Sequence, residues 1–499
     1  MKILSAAQIR ELDKYTIQHE PISSVDLMER AATAFTNAVT EMFRTNEQVL
    51  VFCGMGNNGG DGLAVARQLV ERGYLHVTTY VVKHSPKASN DFEVNEERLK
   101  NISGIRYIET EFQIPQISKN AVVIDAILGS GLSRRVDGIS AALIKQINES
   151  GATVYSIDVP SGLFCDLPND ESYAVVQSDI TFTFHAPKLS FLMPSSAPYI
   201  KQFEVLDIGL QKEFAESIAS PYRYVTHEHI RSVFKGRGRF SHKGTYGHVL
   251  LCAGSYGKMG AAVLTVNAAL RSGAGLVSAF VPTCGYNILQ TNCPEAMVLV
   301  DEQNDELSAL PDAVKFDVIG AGPGIGVTEN TAHFLTQLLH AGKPLVLDAD
   351  GLNLLAENRA LLNKLPGSTI LTPHPGEFKR LAGDWKDDLH RLKLQVDFAA
   401  QYNVVVVLKG AHTAVALPNG TVYFNSTGNP GMAKGGSGDV LTGVITSLLA
   451  QEYSAEEAAV IGVFIHGKAG DYAAAYLSQT GMTAQDIIRY LPEAFGLFE

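Results

Sequence analysis

Residues 49–62 read VLVFCGMGNNGGDG, and the fold follows from how that stretch is read. Val49–Cys53 is an uninterrupted apolar run, the pattern of a strand buried on both faces of a parallel sheet. Gly54, Gly56 and Gly59 then satisfy G-x-G-x-x-G, a tight turn that carries the chain from a strand into a helix. The dinucleotide fingerprint also wants an acid closing the second strand, and here that strand ends VVKHSP, with Lys83 and His84. An ordinary nicotinamide dehydrogenase is thereby disfavoured. The glycine-rich helix start still exposes backbone N–H groups suited to a phosphate. Residues 249–262, VLLCAGSYGKMGAA, open a second series on the same plan. The later spacing differs, so the halves read as two α/β domains and not as a repeat.

Outward from 49–53, the runs VTTYVV (77–82), AVVIDA (121–126) and TVYSID (153–158) predict further strands, with two short ones near 180–184 and 203–208. Two helices are expected before residue 40. Ser5 and Gln8 have capping-box spacing for the first. Met28, Ala31, Phe35, Ala38 and Met42 mark one apolar face of the second. After Leu210 the stretch QKEFAESIASPYRYVTHEHI carries charges, Ser and Pro and no sustained strand run. The boundary is therefore expected between 211 and 225, giving domains 1–215 and 225–499. The second series predicts strands in HVLLCAG (248–254), LVSAFVP (276–282), DVIGAG (317–322), PLVLDAD (344–350), STILTP (368–373) and VVVVLKG (404–410).

A chain of 499 residues that is 46% hydrophobic and 18% charged is a globular mixture, sized for two or three cores. A net charge of −12 and a pI near 5.6 argue against a nucleic-acid or membrane partner, leaving local basic loops for phosphates. Five widely spaced cysteines, Cys53, Cys165, Cys252, Cys284 and Cys293, read as buried, reduced thiols of a cytoplasmic protein. The start MKILSAAQIRELDK reads as helix rather than signal peptide, and no apolar run approaches membrane-spanning length.

Three strand ends in the first half carry polar groups. Asn57, Asn58, Gly59, Gly60 and Asp61 follow the first; Asp125 closes AVVIDA ahead of Gly129-Ser130-Gly131-Leu132-Ser133-Arg134-Arg135; Asp158 closes TVYSID ahead of Pro160-Ser161-Gly162. One such Asp is commonly a helix cap, but their joint occurrence with a basic glycine loop favours a site outside the strands' carboxyl ends. Asn58, Asp125 and Ser161 offer oxygen ligands to a hard cation, and Arg134 and Arg135 could meet phosphate. With NNGGDG, DAILGSGL and DVPSGL nearly uninterrupted, residues 1 to about 210 resemble the NAD(P)H-hydrate epimerase family. The resemblance implies a Rossmann-like three-layer domain and potassium on Asn58, Asp125 and Ser161. It also implies a hydrate held by 57–61 and 129–135, with Asp158 at the reacting carbon. Epimerisation there requires the ring to open or the hydroxyl to be shuttled, work suited to a carboxylate acting as base and acid. A nucleotide-sensing regulatory module is the non-enzymatic alternative, against which the intact acids argue.

In the second half, Asn429-Pro430-Gly431-Met432-Ala433-Lys434-Gly435-Gly436-Ser437-Gly438-Asp439 runs into the apolar helix VLTGVITSLLA. Its glycines leave N–H groups at a helix N-terminus, able to stabilise charge on a phosphoryl group, with Asp439 in the first turn. Lys409-Gly410-Ala411-His412-Thr413 follows an apolar strand and could cradle a nucleotide phosphate. Thr372-Pro373-His374-Pro375-Gly376-Glu377 ends another, and Gly260-Ala261 and Gly322-Pro323-Gly324 let backbone approach a flat ring. The G-x-G-D order resembles the ribokinase-like superfamily. TPHPGE, KGAHT and NPGMAKGGSGD together make 225–499 resemble the ADP-dependent NAD(P)H-hydrate dehydratase family. That resemblance implies a ribokinase-like α/β domain. The hydrate would sit on Ala261, Gly324, His374 and Asp439, and ADP on 409–413 and Gly438. Magnesium is implied for the nucleotide, with Glu377 a candidate ligand, and relatives imply a homo-oligomer. Asp439 would take the proton of the hydrate's 6-hydroxyl as it attacks ADP. A small-molecule kinase is the competing reading; His374 where sugar kinases have Asn, and the fusion to an epimerase half, argue against it.

Overall fold

Val49, Val51 and Cys53 face one way from the first strand and Leu50 and Phe52 the other, and both sets are buried, because helices cover both sides of the sheet. The computed structural model describes all 499 residues. It divides into two compact units, Lys2–Ser220 and Pro221–Glu499, the latter joined by Met1.

In the first unit seven strands, β1 (Gln48–Cys53), β2 (His76–Val82), β3 (Ile105–Ile108), β4 (Val122–Ala126), β5 (Thr153–Ile157), β6 (Ser178–Phe184) and β7 (Ile200–Leu206), form one all-parallel sheet. Their order is β3-β2-β1-β4-β5-β6-β7. The order reverses between β1 and β4, and ligands of such sheets bind at that switch, outside the strands' carboxyl ends. Helices α1 (Ala6–His19) and α2 (Ser24–Val39) precede the sheet, and α3 (Asn57–Glu71) follows β1. Ser5 and Gln8 close a reciprocal capping box on α1. Met28, Ala31 and Phe35 are buried as expected, but α2 ends at Val39. Met42 lies beyond it and is 42% exposed, while Val39 and Phe43 take the inward places. The short strand β3 carries no apolar run long enough to stand out in the sequence.

The second unit is built on ten strands: β8 (Tyr222–Tyr224), β9 (His248–Cys252), β10 (Leu276–Val281), β11 (Met297–Val300), β12 (Val318–Ala321), β13 (Leu345–Leu347), β14 (Ile370–Leu371), β15 (Val405–Leu408), β16 (Ala414–Ala416) and β17 (Val422–Phe424). Their order is β11-β10-β9-β12-β13-β14-β15-β16-β17-β8. All pairs are parallel except those β16 makes with β15 and β17. Residues 216–224, left unassigned by the sequence, complete a short helix at Lys212–Ser217 and then supply the edge strand β8, which pairs with β17. Helix α4 (Met259–Arg271) follows β9, and α5 (Ser437–Ala450) and α6 (Ala455–Leu477) follow the glycine-rich loop. Every residue of α5 from Val440 to Ala450 is buried, the signature of a helix surrounded by core. Both units are α/β, as expected. No helix is long and apolar enough to cross a membrane.

Candidate active sites

In the first unit a cavity of about 690 Å³ opens over the β1/β4 switch, lined among others by Asn57, Asn58, Asp61, Arg134, Asp158 and one face of α1. Gly59 follows the turn so closely that a Cβ there would meet the Gly54 carbonyl at 1.9 Å, which only glycine avoids. Asn57, Asn58 and Asp61 face the cavity, whereas Gly59 and Gly60, expected there, do not line it: Gly59 packs on Gly54 and Gly60 on Met28. No side chain caps α3, and its start at Gly56–Asn58 lines the cavity. Gly129–Arg134 line the rim. Arg135 does not: its guanidinium lies 4.2 Å over the Tyr173 ring and bonds that phenol at 3.1 Å.

Beneath the floor Asp125 is fully buried and accepts from the Ser161 hydroxyl (2.5 Å), the Ser161 N–H (2.8 Å), the Ser156 hydroxyl (2.9 Å) and the Ile127 N–H (3.3 Å). Burial pushes its carboxyl upward, and these donors pull it back. Asn58 joins them indirectly. Its amide donates to the Leu128 carbonyl at 3.1 Å, and the Leu128 N–H donates to Ser161 Oγ at 2.8 Å. The set offers oxygens only, with one carboxylate among neutral groups, the donor chemistry of a weakly charged hard cation.

Asp158 occupies the left-handed region at φ 61°, uncommon for a non-glycine residue and frequent at functional turns. Its carboxylate is ion-paired at 2.8 Å with Lys188, whose side chain is only 1% exposed, and accepts from Thr183 Oγ1 and the Phe184 N–H at 3.2 Å. Lys188 is absent from the sequence-based set. The HAPKLS stretch carries no spacing that announces a buried ammonium. Asp13 was also missed; it faces the same cavity from α1. Burial and the Asp158 charge push Asp13 up to about 6, and the same two causes push Asp61 well above the usual carboxylate range.

In the second unit the groups gather outside β12–β15. Helix α5 starts after Gly436, which sits at φ 95°, again without a side-chain cap. A Cβ on Gly438 would lie 3.4 Å from both Asp348 Oδ2 and Lys409 Nζ, so the glycine loop touches an ion pair. Asp348 is that pair's anchor. It is 1% exposed, accepts from Lys409 Nζ at 2.8 Å and from Thr442 Oγ1 at 2.9 Å, and lies just past β13. The rule that picked out Asp125 and Asp158, an acid at a strand's carboxyl end, would also have found it. Asp439 is pushed up to about 6, first by burial and then by Asp348 and Asp350, with Lys409 opposing.

His374 caps the helix Pro375–Ala382: its Nδ1 accepts from the Gly376 N–H at 3.0 Å, and Glu377 accepts from the His374 N–H at 2.8 Å. With Nδ1 accepting, the neutral ring carries its hydrogen on Nε2, which lies 3.3 Å from Glu377 Oε1. Ala261 and Gly324 meet closely, a Cβ on Gly324 falling 3.1 Å from that of Ala261. Gly410 and Thr413 close a tight turn through Thr413 Oγ1, with Ala411 exposed and His412 bonded to the Asn425 carbonyl at 3.2 Å. Behind the loop, α6 braces it. Asp471 accepts from the Gly428 N–H (3.1 Å) and Asn429 Nδ2 (3.0 Å), and the Phe464 carbonyl accepts from Thr427 Oγ1 (2.8 Å). His466 is buried, pushed down to about 4 by desolvation, and bonds the backbone of Ser437.

Residues 249–493 match the family described as NAD(P)H-hydrate dehydratase, and residues 24–190 that described as YjeF-related protein N-terminus. The chain is similar to the bifunctional NAD(P)H-hydrate repair enzyme of Moorella thermoacetica, at 36% identity over 99% of this chain and 96% of the relative. It is 37% identical to that of Coxiella burnetii over 97% of each chain, and 33% identical to that of Escherichia coli over 93% and 88%. Among solved structures it is similar to the ADP/ATP-dependent NAD(P)H-hydrate dehydratase of Bacillus subtilis, co-crystallised with ATP and Mg2+. That likeness is 34% identical, covers 56% of this chain and 99% of the other, and has a TM-score of 0.50.

Proposed function

The chain belongs to the family of bifunctional NAD(P)H-hydrate repair enzymes, and on that premise we propose that the cavity of the first unit epimerises the hydrate while the glycine loop of the second dehydrates it. The enzyme returns hydrated NADH and NADPH to use by joining the two activities. One observation carries the second assignment: Asp439 stands in the first turn of an uncapped, glycine-led helix, beside the Lys409–Asp348 pair. There its carboxylate takes the proton of the hydrate's 6-hydroxyl as that oxygen attacks the terminal phosphoryl group of ADP. The N–H groups ahead of α5 receive the developing charge. Phosphate then leaves C6 as the ring-nitrogen lone pair forms a C=N bond. A C5 proton is lost to the departing phosphate, so that the C5–C6 double bond forms and the lone pair returns to nitrogen, and AMP is the second product. Ala261 and Gly324 form the close backbone floor for the ring, with His374 at its edge and Lys409–Thr413 and Gly438 toward the nucleotide.

A carboxylate such as Glu377 would hold magnesium, which would neutralise charge on the nucleotide phosphates. In the first unit Asn58, Asp125 and Ser161 would hold potassium, which would supply a fixed positive charge beneath the hydrate; the oxygen-rich donor set supports this. Asp158 works on the hydroxyl-bearing carbon, oriented by Lys188. Asn57, Asn58, Asp61 and the 129–134 loop hold the cofactor's phosphates and ribose. The test is incubation with mixed epimers, ADP and magnesium while following the absorbance of the reduced nicotinamide. Both epimers should be recovered as NAD(P)H with free phosphate. A stable phosphorylated product would mark a kinase instead.

A further inference from the structure

We infer that Asp13 is the second proton-transferring carboxyl of the epimerase site, working with Asp158 on the hydroxyl-bearing carbon; this rests on reading the cavity as the place of epimerisation. Ile9, Arg10, Asp13 and Ile17 share one face of α1, and all four line the cavity into which Asp158 projects from the end of β5. The two acids therefore reach the same space from different elements. Their surroundings differ in charge. Asp158 has the buried Lys188 ammonium at 2.8 Å, which also acts on Asp13 from further off. Asp13 makes no ion pair of its own; burial and then the Asp158 charge push it up to about 6 against the pull of Lys188. A carboxylate held beside an ammonium and a second carboxyl raised toward neutrality thus face one space, the pairing that an acid–base exchange needs.

The carbon that bears the hydroxyl also bears the ring nitrogen, so it can lose water without any redox step. The nitrogen lone pair moves into a bond to that carbon and the C–O bond breaks. The departing oxygen takes the Asp13 proton and becomes water. Water then adds to the other face: a C–O bond forms, its proton passes to the Asp158 carboxylate, and the electron pair returns to nitrogen. The net change is inversion with one proton moved from Asp13 to Asp158, so the enzyme finishes poised for the reverse inversion. A reversible epimerase needs that symmetry.

The experiment uses the full chain without ADP, so that only epimerisation of a single purified epimer is followed. Asp13→Asn should lower kcat by about 10²–10⁴-fold with the hydrate KM within a few-fold of wild type. The same protein, given ADP, should dehydrate the preferred epimer at the wild-type rate. In water enriched in oxygen-18, the wild-type enzyme should place one solvent oxygen in the product for each inversion, a readout that depends on no variant folding. Retention of the original oxygen overturns the inference in favour of ring opening. An Asp13→Asn enzyme of normal rate also overturns it, as does a loss seen with Asp61→Asn but not with Asp13→Asn. If Asp158→Asn abolishes epimerisation while Asp13→Asn does not, the inference fails and the cavity reading stands. If neither matters, the cavity reading itself fails.

Discussion

Asp439 sits where a helix cap and a general base would look alike in sequence, and its surroundings separate the two. A cap needs only an oxygen near the first-turn N–H groups, and Asn serves there almost as well as Asp. A base needs a carboxylate basic enough to take a proton near the working pH and able to reach a hydroxyl. Asp439→Asn should lower dehydration by about 10²–10⁴-fold while nucleotide binding and epimerisation persist, as steady-state kinetics and a binding titration would report. The base works only when ionised, and burial with Asp348 and Asp350 raises its pKa to about 6. Dehydration should therefore hold above that pH and fall about tenfold per unit below it, with the break well above the usual aspartate value near 4. A break left near 4 would show that Asp439 is not the titrating group. Asp125 behaves differently. Replacing it with Ala strands the Ser156 hydroxyl and the Ser161 and Ile127 N–H groups in a dry interior, so the first unit should lose at least about 2 kcal/mol in denaturant unfolding, whatever its effect on potassium. Asn58→Ala tests the cation more cleanly: potassium activation of epimerisation should weaken with little loss of stability.

At the scale of elements, the glycine loop is only as well placed as the helix behind it. Asp471 accepts from both Gly428 and Asn429, and a Cβ on Gly470 would strike Met432 at 2.3 Å, so α6 fixes the start of the loop by bonds and by contact. Asp471→Ala should lower kcat/KM for dehydration by about 10- to 100-fold through misplacement of the N–H groups, leaving epimerisation unchanged. Wild-type dehydration in that variant would show that the loop holds its own shape. The sequence was least informative about such supports. The inner strands of both sheets were legible because burial on both faces writes an apolar run. The strands β3, β8, β16 and β17, which lie at or near the sheet edges, were not, because they are short and carry no sustained apolar run; β11, also an edge strand, was missed too. Met42 was assigned to a helix face it never joins because α2 stops three residues earlier.

For the whole molecule, the two activities should separate by substrate exhaustion. With mixed epimers and ADP, the wild-type chain should carry absorbance of the reduced nicotinamide to completion. Asp158→Asn should stop once the epimer accepted by the second unit is spent, apart from slow uncatalysed epimerisation. A normal end point on the wild-type time course would remove Asp158 from the epimerase chemistry. Dehydration should also run faster with ADP than with ATP at equal magnesium; a faster rate with ATP at saturation would reverse the reading of 429–439.

The sequence by itself determined the α/β class, the doubling of the chain, and which glycine loops and strand-end acids stand ready for chemistry. Those features depend on neighbours within a turn or a strand, where backbone conformation and burial leave a local mark. Only the tertiary structure decided how the acids are used. Lys188 is matched to Asp158, Lys409 to Asp348, and Asp13 is brought to the first cavity from α1. The same packing turned Arg135 away onto Tyr173. These outcomes rest on charges and contacts between segments far apart in the chain. A carboxyl keeps or gives up its proton according to which ammonium, carboxylate or apolar wall the fold sets beside it, and no local pattern records that neighbour.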